Sequence, residues 1–484
     1  MKIKPIHIVI LLFLVSFAFR LYFSSESEYF FSPESYFHLR IIDNYNEDGS
    51  ILLYDKLSFS GKNLNYPQFF HIFISFFSFI PYYLKIIPAL LISSLIIIIY
   101  LICKELTKDG AASVFSAFLT AFLPIELKLT INQISPLHLL LPLMFLMFYC
   151  FIKIDNKKFF ALFLFLSFII PLLHPISIIF VFSLVFYILL LNIDNVNVDK
   201  RKRELIIFTF FLVFFINILI FRKAFIFHGF NFPFKDFIKD ANTLFLSNFN
   251  IFTDVFYLGA LVFILGIIGL FFGYFREKNH NVALFYGFII AVLILGVLKF
   301  IDVNIVLLLL ALNLCVLSSF TIRKFFDYLK ITKASNFKNY FIYIFIAFIT
   351  LASVYPSFLI VKSFNTDNKE LNDLKWLNGN SHKDSTVLSV IEEGDLIIGL
   401  ARRKSVLDSD VLLISSLDQR IRDVNVIYIT WSEAIALDLI KKYNINYIYF
   451  TKRAKDKYKI NEILYIKDEK CFRKEKETIY RIIC

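Results

Sequence analysis

The chain has 484 residues, of which 58% are hydrophobic and 19% are charged, and its mean hydropathy is +0.69. This composition, with 62 phenylalanines, excludes a soluble globular protein, because one soluble core could not bury so much apolar surface. The formal net charge of +12 does not indicate a nucleic-acid partner, since many lysines and arginines lie in short connectors between apolar runs, where they act as topology signals.

Long apolar segments follow one another along most of the chain, and a membrane-spanning helix needs about 17–25 such residues. The segments are residues 5–23, 85–103, 111–124, 137–153, 159–173, 174–192, 205–221, 255–275, 282–300, 303–320 and 340–361. A further apolar stretch, 69–83, is interrupted by Pro81 and is typical of an interfacial or re-entrant helix. We therefore predict a polytopic α-helical membrane protein with about 11–13 transmembrane helices, whose partner is the lipid bilayer.

The positions of lysine and arginine predict how these segments are oriented in the cell membrane. The positive connectors, expected in the cytoplasm with the N-terminus, are 104–108, 153–158, 200–203, 276–278 and 323–338. The loops 24–66, 125–136 and 222–254, and everything after 361, are then extracytoplasmic. We predict two domains: a transmembrane domain, 1–361, that carries the outer loop 24–66, and a soluble extracytoplasmic α/β domain, 362–484.

The last 120 or so residues have the composition of a soluble α/β module of sufficient size for its own core. The sequence predicts strands at Thr386–Ile391, Val426–Thr430, Asn446–Thr451 and Thr478–Ile483, and a helix at Ser432–Tyr443. Cys471 and Cys484 flank the final segment. Either they form a disulfide that closes a terminal hairpin, or they remain two unpaired thiols.

A carboxylate, an imidazole and a guanidinium stand within seven residues in the first outer loop, at Glu34, His38 and Arg40. In a helix, these positions share nearly one face. Glu34 is a candidate general base or ligand of Mg²⁺ or Mn²⁺; the alternative is a solvated glutamate. His38 is a candidate metal ligand or an orienting group for Glu34. Arg40 either grips a phosphate or forms a local ion pair with Glu34 or Asp43.

Other polar residues near the outer ends of the apolar segments are weaker candidates. Arg222, Lys223 and His228 begin the loop 222–254, where they either hold a lipid phosphate or, for Arg222 and Lys223, extend to the interface as snorkelling side chains. His174, before Pro175, is either a substrate contact or a hydrogen-bonded histidine at a kink.

Two further groups of charges are candidates for the walls of the same site. Glu126 and Lys128 form either a second wall or a surface ion pair. The acidic residues around Gly394, at 392, 393 and 395, either meet an acceptor or decorate a turn, and the turn is favoured. Charges inside the apolar segments are almost absent, and Asp302 is the main exception. A transporter, which would need such charges, is therefore a third and weaker interpretation.

The predicted layout resembles that of GT-C glycosyltransferases: one helix, a large polar outer loop, many more helices and an outward C-terminal α/β module. Within this superfamily the chain resembles the catalytic subunit of archaeal and eukaryotic oligosaccharyltransferases. Their first outer loop carries an acidic residue followed by an aromatic, histidine and arginine run, which matches Glu34–Arg40 here. Tyr66–His71, the exit at Lys104–Leu106, and the patterns at 374–377, 385–388, Arg402-Arg403 and 442–449 are also similar.

The resemblance implies an integral-membrane glycosyltransferase that takes a sugar from a polyprenyl-phosphate-linked donor on the outer face. It implies catalytic roles for Glu34, His38 and Arg40, with a divalent cation at Glu34. Substrate contacts are expected at Arg222, Lys223, His228, His174 and Arg402. No motif identifies the acceptor.

The chain also departs from the family pattern. The position of the second acidic pair, 132–135, has no carboxylate, and the tryptophans of the acceptor motif are missing at 391–394. The alternative is therefore an inactive relative that binds lipid-linked glycan or scaffolds glycosylation enzymes.

Overall fold

The structure, a computed structural model, describes residues 4–229, 251–276, 280–331, 338–363, 368–414, 416–467 and 470–484. Its first helices are α1 (Pro5–Ser25), α2 (Glu34–Asp48), α3 (Phe69–Ser75), α4 (Tyr83–Ser93), α5 (Leu95–Thr107), α6 (Gly110–Ala121) and α7 (Pro124–Thr130). They are followed by α8 (Leu137–Ile152), α9 (Lys157–Leu173), α10 (Ser177–Ile193) and α11 (Lys200–His228). Next come α12 (Ile251–Leu258), α13 (Ala260–Phe271), α14 (Val282–Val297), α15 (Val303–Ile331) and α16 (Lys338–Ser363). Each predicted apolar segment coincides with helix.

Four helices among the described residues are long and apolar enough to cross a membrane: Pro5–Ser25, Tyr83–Thr107, Lys200–His228 and Val303–Ile331. The pair α6 and α7, bent by 46°, makes a fifth if it counts as one span. Shorter apolar helices account for other predicted spans, including Leu137–Ile152, Ser177–Ile193 and Val282–Val297. The polytopic helical architecture is confirmed, while the predicted number of 11–13 spans exceeds the four or five that this length criterion supports.

Large hydrophobic side chains remain exposed on the outside of the helical part. Leu11 on α1 is 59% exposed, and Phe211 and Phe215 on α11 are 68% and 60% exposed. Residues this apolar are stable on a surface that faces lipid rather than water. Inside, helices approach closely: a Cβ on Gly287 of α14 would lie 2.5 Å from the carbonyl oxygen of Ser183 on α10. Such small-residue contacts are typical of helices packed in membranes.

The outer loop is folded rather than extended. It contains α2, the two-stranded antiparallel ribbon β1 (Tyr54–Asp55) and β2 (Lys62–Asn63), and ends at α3. The predicted apolar stretch 69–83 contains only the seven-residue helix α3. After it, Phe76, Phe79 and Tyr82 are at least 75% exposed. This agrees with the predicted interfacial position, where aromatic side chains bridge lipid and water.

The loop predicted at 222–254 is partly wrong. Helix α11 continues to His228, so Arg222, Lys223 and His228 belong to a helix rather than to a loop. The phenylalanine-rich sequence after 221 keeps the helix apolar through its last turns. The central part of the predicted loop, residues 230–250, lies outside the described residues.

The C-terminal part contains a five-stranded sheet, with strands β3 (Thr386–Leu388), β4 (Lys404–Ser405), β5 (Ile445–Tyr449), β6 (Phe472–Lys474) and β7 (Ile479–Ile482). The strand order in the sheet is β4-β3-β5-β7-β6. β3 pairs in parallel with β4 and β5, and β7 pairs antiparallel with β5 and β6. The helices here are α17 (Asn368–Asn380), α18 (Leu417–Ile429), α19 (Glu433–Lys442) and α20 (Lys452–Tyr458).

Three of the four predicted strands exist, but Val426–Thr430 is wrong, because it ends helix α18. The buried residues Val424, Ile427 and Tyr428 are spaced three and four apart, which suits a helix that covers the sheet. The predicted helix 432–443 is confirmed by α19. Cys471 and Cys484 are joined by a disulfide, so the paired alternative is the right one.

The C-terminal sheet domain packs directly on the outer loop. Tyr29 and Tyr36 are buried with Leu374 and Ile397 in one hydrophobic cluster. Gly399 permits this contact, since a Cβ there would lie 2.6 Å from the Cβ of Tyr36. The N–H of Ser405 also donates to the carbonyl oxygen of Leu57 at 2.9 Å. The outer loop is therefore enclosed between the membrane helices and the sheet domain. The domain boundary at residue 361 stays a prediction.

Candidate functional site

Glu34 is the first residue of α2 and its carboxylate is exposed. Burial among surrounding protein atoms nevertheless raises its pKa above the ordinary value, and the charge of Asp302 raises it further. A side chain that is both accessible and poorly hydrated lines a concave surface. Within the described residues, Glu34 forms no hydrogen bond or ion pair. The position at the start of a helix favours the ionised carboxylate.

The loop 131–136 is fixed against the start of α2. The N–H of Ile134 donates to the hydroxyl of Ser35 at 3.0 Å, and the N–H of Phe31 donates to the carbonyl oxygen of Asn132 at 3.1 Å. The Asn132 amide in turn donates to the carbonyl oxygen of Tyr29 at 2.7 Å. The loop where the sequence resemblance placed a second acidic pair therefore does lie beside Glu34, but it offers amides and hydroxyls instead of carboxylates.

A buried group of imidazole rings lies behind Glu34, and we call His38, His71 and His174 the histidine cluster. Nδ1 of His38 and Nε2 of His71 are 2.9 Å apart, so one nitrogen donates to the other. Tyr66 packs on all three, with ring centroids 5.8, 5.9 and 6.4 Å from those of His38, His71 and His174. Burial lowers the pKa of His38 and lowers that of His71 to about 3. Both imidazoles are therefore neutral near pH 7.

Tyr66 carries a polar group that faces Glu34. Its ring is held by the histidine cluster and by Phe37, with a centroid distance of 5.3 Å to the latter. Burial, followed by the negative charge of Glu34, raises the pKa of the Tyr66 hydroxyl. No hydrogen bond from this hydroxyl to the described part of the chain is formed. The phenol is thus a neutral donor available beside the carboxylate.

Three polar residues connect α7 with the start of α15. Nζ of Lys128 donates to Oδ1 of Asn304 at 3.1 Å and lies 4.0 Å from the ring centroid of Tyr257. The N–H of Asn304 donates to Oδ1 of Asp302 at 2.8 Å. The charge of Asp302 raises the pKa of Glu34, so this second carboxylate lies near Glu34.

The predicted surface ion pair between Glu126 and Lys128 is wrong. Glu126 is 1% exposed and pairs with Arg20 of α1, Nη2 to Oε2, at 2.5 Å. The hydroxyl of Thr130 accepts from Nη1 of Arg20 at 2.8 Å. A carboxylate buried this deeply requires a cationic partner, and α1 supplies it. Glu126 therefore fixes α7 to α1.

The sheet domain brings acidic side chains toward the same region. Asp395 and Asp408 are 1% and 0% exposed, and Lys62 of the outer loop pairs with Asp410 at 2.8 Å. Burial raises the pKa of Asp395, with further contributions from the charges of Asp408 and Glu34. Burial also raises the pKa of Asp408 to about 6.

The other acidic residues around Gly394 have structural partners. Glu393 accepts from the Thr451 hydroxyl at 2.7 Å and Glu392 pairs with Lys457 at 2.8 Å. The favoured interpretation as a turn fits these two residues, whereas Asp395 faces the region of the site.

Two of the predicted arginines are held by protein carboxylates. Nε of Arg40 donates to Asp55 at 2.9 Å and Nη2 at 2.8 Å, so its two-pronged pairing is with Asp55 rather than with Glu34 or Asp43. Arg402 of the sheet domain donates to Asp43 of α2 at 3.1 Å. Both interactions hold the outer loop together or join it to the sheet domain.

Of the remaining predicted residues, His174 joins the site. His174 belongs to the histidine cluster, and its Nδ1 accepts from the N–H of Ile176 at 3.2 Å. The substrate-contact and kink interpretations are thus compatible. Nε2 of His228 is 2.7 Å from the carbonyl oxygen of Leu412 in the sheet domain. Arg222 and Lys223 are exposed on α11. Their roles stay predictions.

The donor set around Glu34 is a poor match for a metal ion held by several protein ligands. In the part of the chain that the structure describes, no group of three or more histidine, cysteine, aspartate or glutamate side chains is placed to share one ion. The charge of Asp302 acts on the pKa of Glu34, and the charge of Glu34 acts on the pKa of Asp395. The predicted Mg²⁺ or Mn²⁺ at Glu34 stays a prediction, and no chemical step below depends on it.

The sequence analysis did not identify Tyr66 and His71 as members of the site. The segment Tyr66–His71 was noticed only as part of a resemblance, although a tyrosine and a histidine that flank a proline turn beside an apolar stretch are themselves a signal. For Glu126 and Lys128 the sequence leaves open a second wall of the site or a surface ion pair. The contacts that fix the start of α2 join residues about a hundred positions apart, which no local pattern reveals.

Comparison with known proteins supports the fold. No family model and no curated protein matches the sequence. Among solved structures, the apo oligosaccharyltransferase of Archaeoglobus fulgidus matches with a TM-score of 0.70 and 14% identity, covering 92% of this chain and 69% of that one. A complex of that enzyme with Zn and sulfate matches with a TM-score of 0.64 and 15% identity, over 91% and 67%.

A third structure, the archaeal oligosaccharyltransferase from Archaeoglobus fulgidus with an inhibitory peptide and a dolichol-phosphate, has a TM-score of 0.64 at 14% identity, covering 90% and 69%. The chain therefore has a GT-C fold. Within that class, its architecture is similar to that of the archaeal oligosaccharyltransferases. The resemblance predicted from the Glu34–Arg40 run is confirmed at the level of the fold.

Proposed function

We propose that the chain is an integral-membrane glycosyltransferase that transfers a sugar or glycan from a polyprenyl-phosphate-linked donor on the outer face of the membrane. The observation that carries this proposal is Glu34, an accessible carboxylate with a raised pKa and no hydrogen-bonding partner among the described residues. An unpaired carboxylate in a dehydrated cleft is destabilising for the fold. Its position is therefore better explained by chemistry than by stability.

The chemistry assigned to Glu34 is proton removal from the acceptor. The acceptor heteroatom attacks C1 of the sugar and forms the new bond, while the C1–O bond to the phosphate breaks and its electron pair stays on the phosphate oxygen. The proton lost by the acceptor passes to Glu34. Desolvation raises the pKa of the carboxylate and makes it a stronger base than a solvated glutamate.

In this proposal the other predicted site residues have positioning roles. His38 forms a neutral, buried pair with His71 and orients Tyr66 beside Glu34. Arg40 keeps α2 in place through Asp55. Arg402 docks the sheet domain on α2 through Asp43. The exposed Arg222 and Lys223, at the end of α11, are assigned to the phosphate region of the lipid donor by their charge.

Two features support an extracytoplasmic site. The disulfide between Cys471 and Cys484 is typical of oxidising compartments outside the cytoplasm. The sheet domain that contains it also packs on the outer loop that contains Glu34. Lysine and arginine in the connectors at 104–108, 153–158 and 200–203 favour a cytoplasmic position for the opposite ends of the helices. Multi-pass insertion with the C-terminal domain outside follows from this orientation.

A non-catalytic function is the second candidate, and one observation favours it. The loop 131–136 beside Glu34 carries Asn132 and Gln133 where a second carboxylate pair is expected. The groups of the described site are then suited to bind a lipid-linked glycan without transferring it, or to scaffold glycosylation enzymes.

The test is an in vitro transfer assay with purified protein in lipid nanodiscs. Polyprenyl-phosphate-linked sugars, isotopically labelled in the lipid, are incubated with the protein and with membrane extract as a source of acceptors. The proposal predicts release of labelled polyprenyl phosphate that depends on the protein. Binding of the donors without any release would support the non-catalytic alternative and contradict the enzyme.

A further inference from the structure

His138 is a fully buried histidine in the first turn of α8. Its Nε2 is 2.8 Å from the carbonyl oxygen of Thr130, the last residue of α7, and its Nδ1 is 2.9 Å from the carbonyl oxygen of Ser135. A neutral imidazole donates to one of these carbonyls, and an imidazolium donates to both. The ring thus spans the loop 131–136 from the residue before it almost to its end.

The contact with Thr130 is the one that closes the loop. Ser135 lies only three residues before His138, and its carbonyl oxygen also accepts from the backbone N–H of His138 at 3.2 Å. Thr130 lies eight residues before His138. Its carbonyl is among the last of α7, which have no partner inside their own helix. Donation from Nε2 satisfies this buried oxygen and holds the two ends of the loop together.

The loop needs such a constraint because its backbone includes an uncommon conformation. Asn132 has a φ of +47°, in the left-handed region that residues other than glycine rarely occupy. A residue in this region stays there when the surrounding structure holds it. A ring that bridges the two ends of the loop supplies part of that restraint.

The loop passes this restraint on to the start of α2. The side-chain amide of Asn132 donates to the carbonyl oxygen of Tyr29 at 2.7 Å, and the N–H of Ile134 donates to the hydroxyl of Ser35 at 3.0 Å. Ser35 directly follows Glu34 in the chain. A change in the loop therefore changes the direction of the Glu34 side chain, and small misplacements of a reacting group are costly for catalysis.

We propose that His138 is a positioning residue, which bonds Thr130 and so holds the loop 131–136 in the conformation that directs Glu34 toward the acceptor. The inference rests on the function proposed above. It gives α8 a part in the transfer reaction, through a side chain that is buried away from the substrate.

Matched substitutions separate the two contacts of the ring. Glutamine carries an amide nitrogen close to the position of Nε2, and asparagine carries one close to that of Nδ1. His138→Gln therefore keeps a donor for Thr130, His138→Asn keeps only the local contact with Ser135, and His138→Leu removes both. The control is His382→Leu, at a histidine whose side chain is 81% exposed.

Hydrogen exchange of the protein in nanodiscs, followed by mass spectrometry, reports on the loop without requiring activity. We expect the amides of 131–136 to exchange at least about 10-fold faster in His138→Asn and His138→Leu, as expected for loss of a buried hydrogen bond. His138→Gln and the control should stay close to wild type. If His138→Leu does not fold, His138→Asn provides the test. Equal loop exchange in wild type and His138→Asn would overturn the inference.

The transfer assay gives the second readout. His138→Asn should lower kcat by at least about 10-fold and leave the KM for the lipid donor unchanged, while His138→Gln keeps most of the turnover. Ser35→Ala breaks the same connection, so adding it to His138→Asn should cause no further loss of kcat.

Two results of the transfer assay would overturn the positioning role: equal kcat in wild type and His138→Asn, or losses from Ser35→Ala and His138→Asn that multiply in the double variant. Faster loop exchange in His138→Asn, with no transfer by wild type, would uphold His138 as the residue that holds the loop and reject the proposed enzyme.

Discussion

Ser35 and Ile134 are joined by a hydrogen bond of 3.0 Å between the serine hydroxyl and the backbone N–H of the isoleucine. Both residues are buried, so the bond is shielded from water and costly to break. It connects the residue after Glu34 to a loop that lies almost a hundred positions further along the chain. The orientation of the candidate base is therefore set by the loop 131–136 as well as by its own helix.

The hydroxyl of Tyr66 should matter for activity and not for stability. It makes no hydrogen bond to the described residues, so Tyr66→Phe should leave the melting temperature unchanged. If the phenol donates to a charged group of the bound substrate, the substitution should lower kcat/KM by about 10- to 100-fold, the usual value of a hydrogen bond to a charged group. Tyr82→Phe, at a tyrosine that is 80% exposed, is the control. Equal activity of Tyr66→Phe and wild type would remove Tyr66 from the site.

Removing one partner of the buried ion pair between Arg20 and Glu126 should destabilise the protein, whereas replacing both partners with apolar residues should not. Glu126→Gln leaves the arginine unpaired, which costs about 3–5 kcal/mol in buried pairs, whereas apolar replacement of both partners is often neutral. We expect a large loss of thermal stability in Glu126→Gln and recovery in the double variant Arg20→Met, Glu126→Leu. Tyrosine and tryptophan fluorescence during heating provides the measurement.

The control for the ion pair is Glu462→Gln, since Glu462 pairs with Lys467 on the surface, with side chains 58% and 65% exposed. Exposed pairs contribute about 0–1 kcal/mol, so this variant should melt like wild type. Equal losses from Glu126→Gln and Glu462→Gln would show that the Arg20 pair is not buried in the folded protein.

The carboxyls of Asp395 and Asp408 should make the sheet domain more stable at mildly acidic pH. The pKa of Asp408 rises to about 6 and that of Asp395 also rises, both mainly through burial. The groups that face them are Asp410, Glu34, Lys62 and Arg420. A carboxyl with a raised pKa in the folded state binds its proton more tightly than in the unfolded chain. Its contribution is therefore complete below the unfolded pKa near 4 and is lost as the pH rises through 6.

Asp395→Asn tests the predicted direction of this pH dependence of stability. The variant removes the buried charge, so it should melt at a higher temperature than wild type at pH 7, with a smaller difference at pH 5. Asp418→Asn, at an exposed aspartate of α18, should show no such dependence. A difference between Asp395→Asn and wild type that is constant from pH 5 to pH 7 would contradict the raised pKa values.

Hydropathy predicted the helical body well, because lipid-facing and core-facing residues are both apolar and leave uninterrupted runs in the sequence. It predicted the ends of the helices less well. Helix α11 extends seven residues beyond the predicted end at 221, because apolar residues, including Phe225 and Phe227, follow Arg222 and Lys223. In the sheet domain, the β-branched run at 426–430 suggested a strand, but burial of Val424, Ile427 and Tyr428 on one side makes it a helix.

The site was predictable only where its residues are close in sequence. Glu34 and His38 stand out because they share a helix face in a polar loop. Their neighbours are brought to them by packing: His71 from α3, His174 from a helix break and Asp302 from the residue before α15. Similarly, the sequence did not reveal the ion pairs of the two arginines predicted to bind phosphate. Arg40 pairs with Asp55, fifteen residues further along the chain, and Arg402 of the sheet domain pairs with Asp43 of the outer loop.

The most direct test of the account is transfer by Glu34→Gln compared with Asp48→Asn, which changes an exposed carboxyl at the other end of α2. Glutamine keeps the shape of the side chain but cannot accept a proton, and a general base contributes about 100-fold or more to the rate. We predict that Glu34→Gln loses at least this much kcat while it binds the lipid donor like wild type, and that Asp48→Asn keeps full activity. Glu34→Gln with wild-type turnover would contradict the central claim.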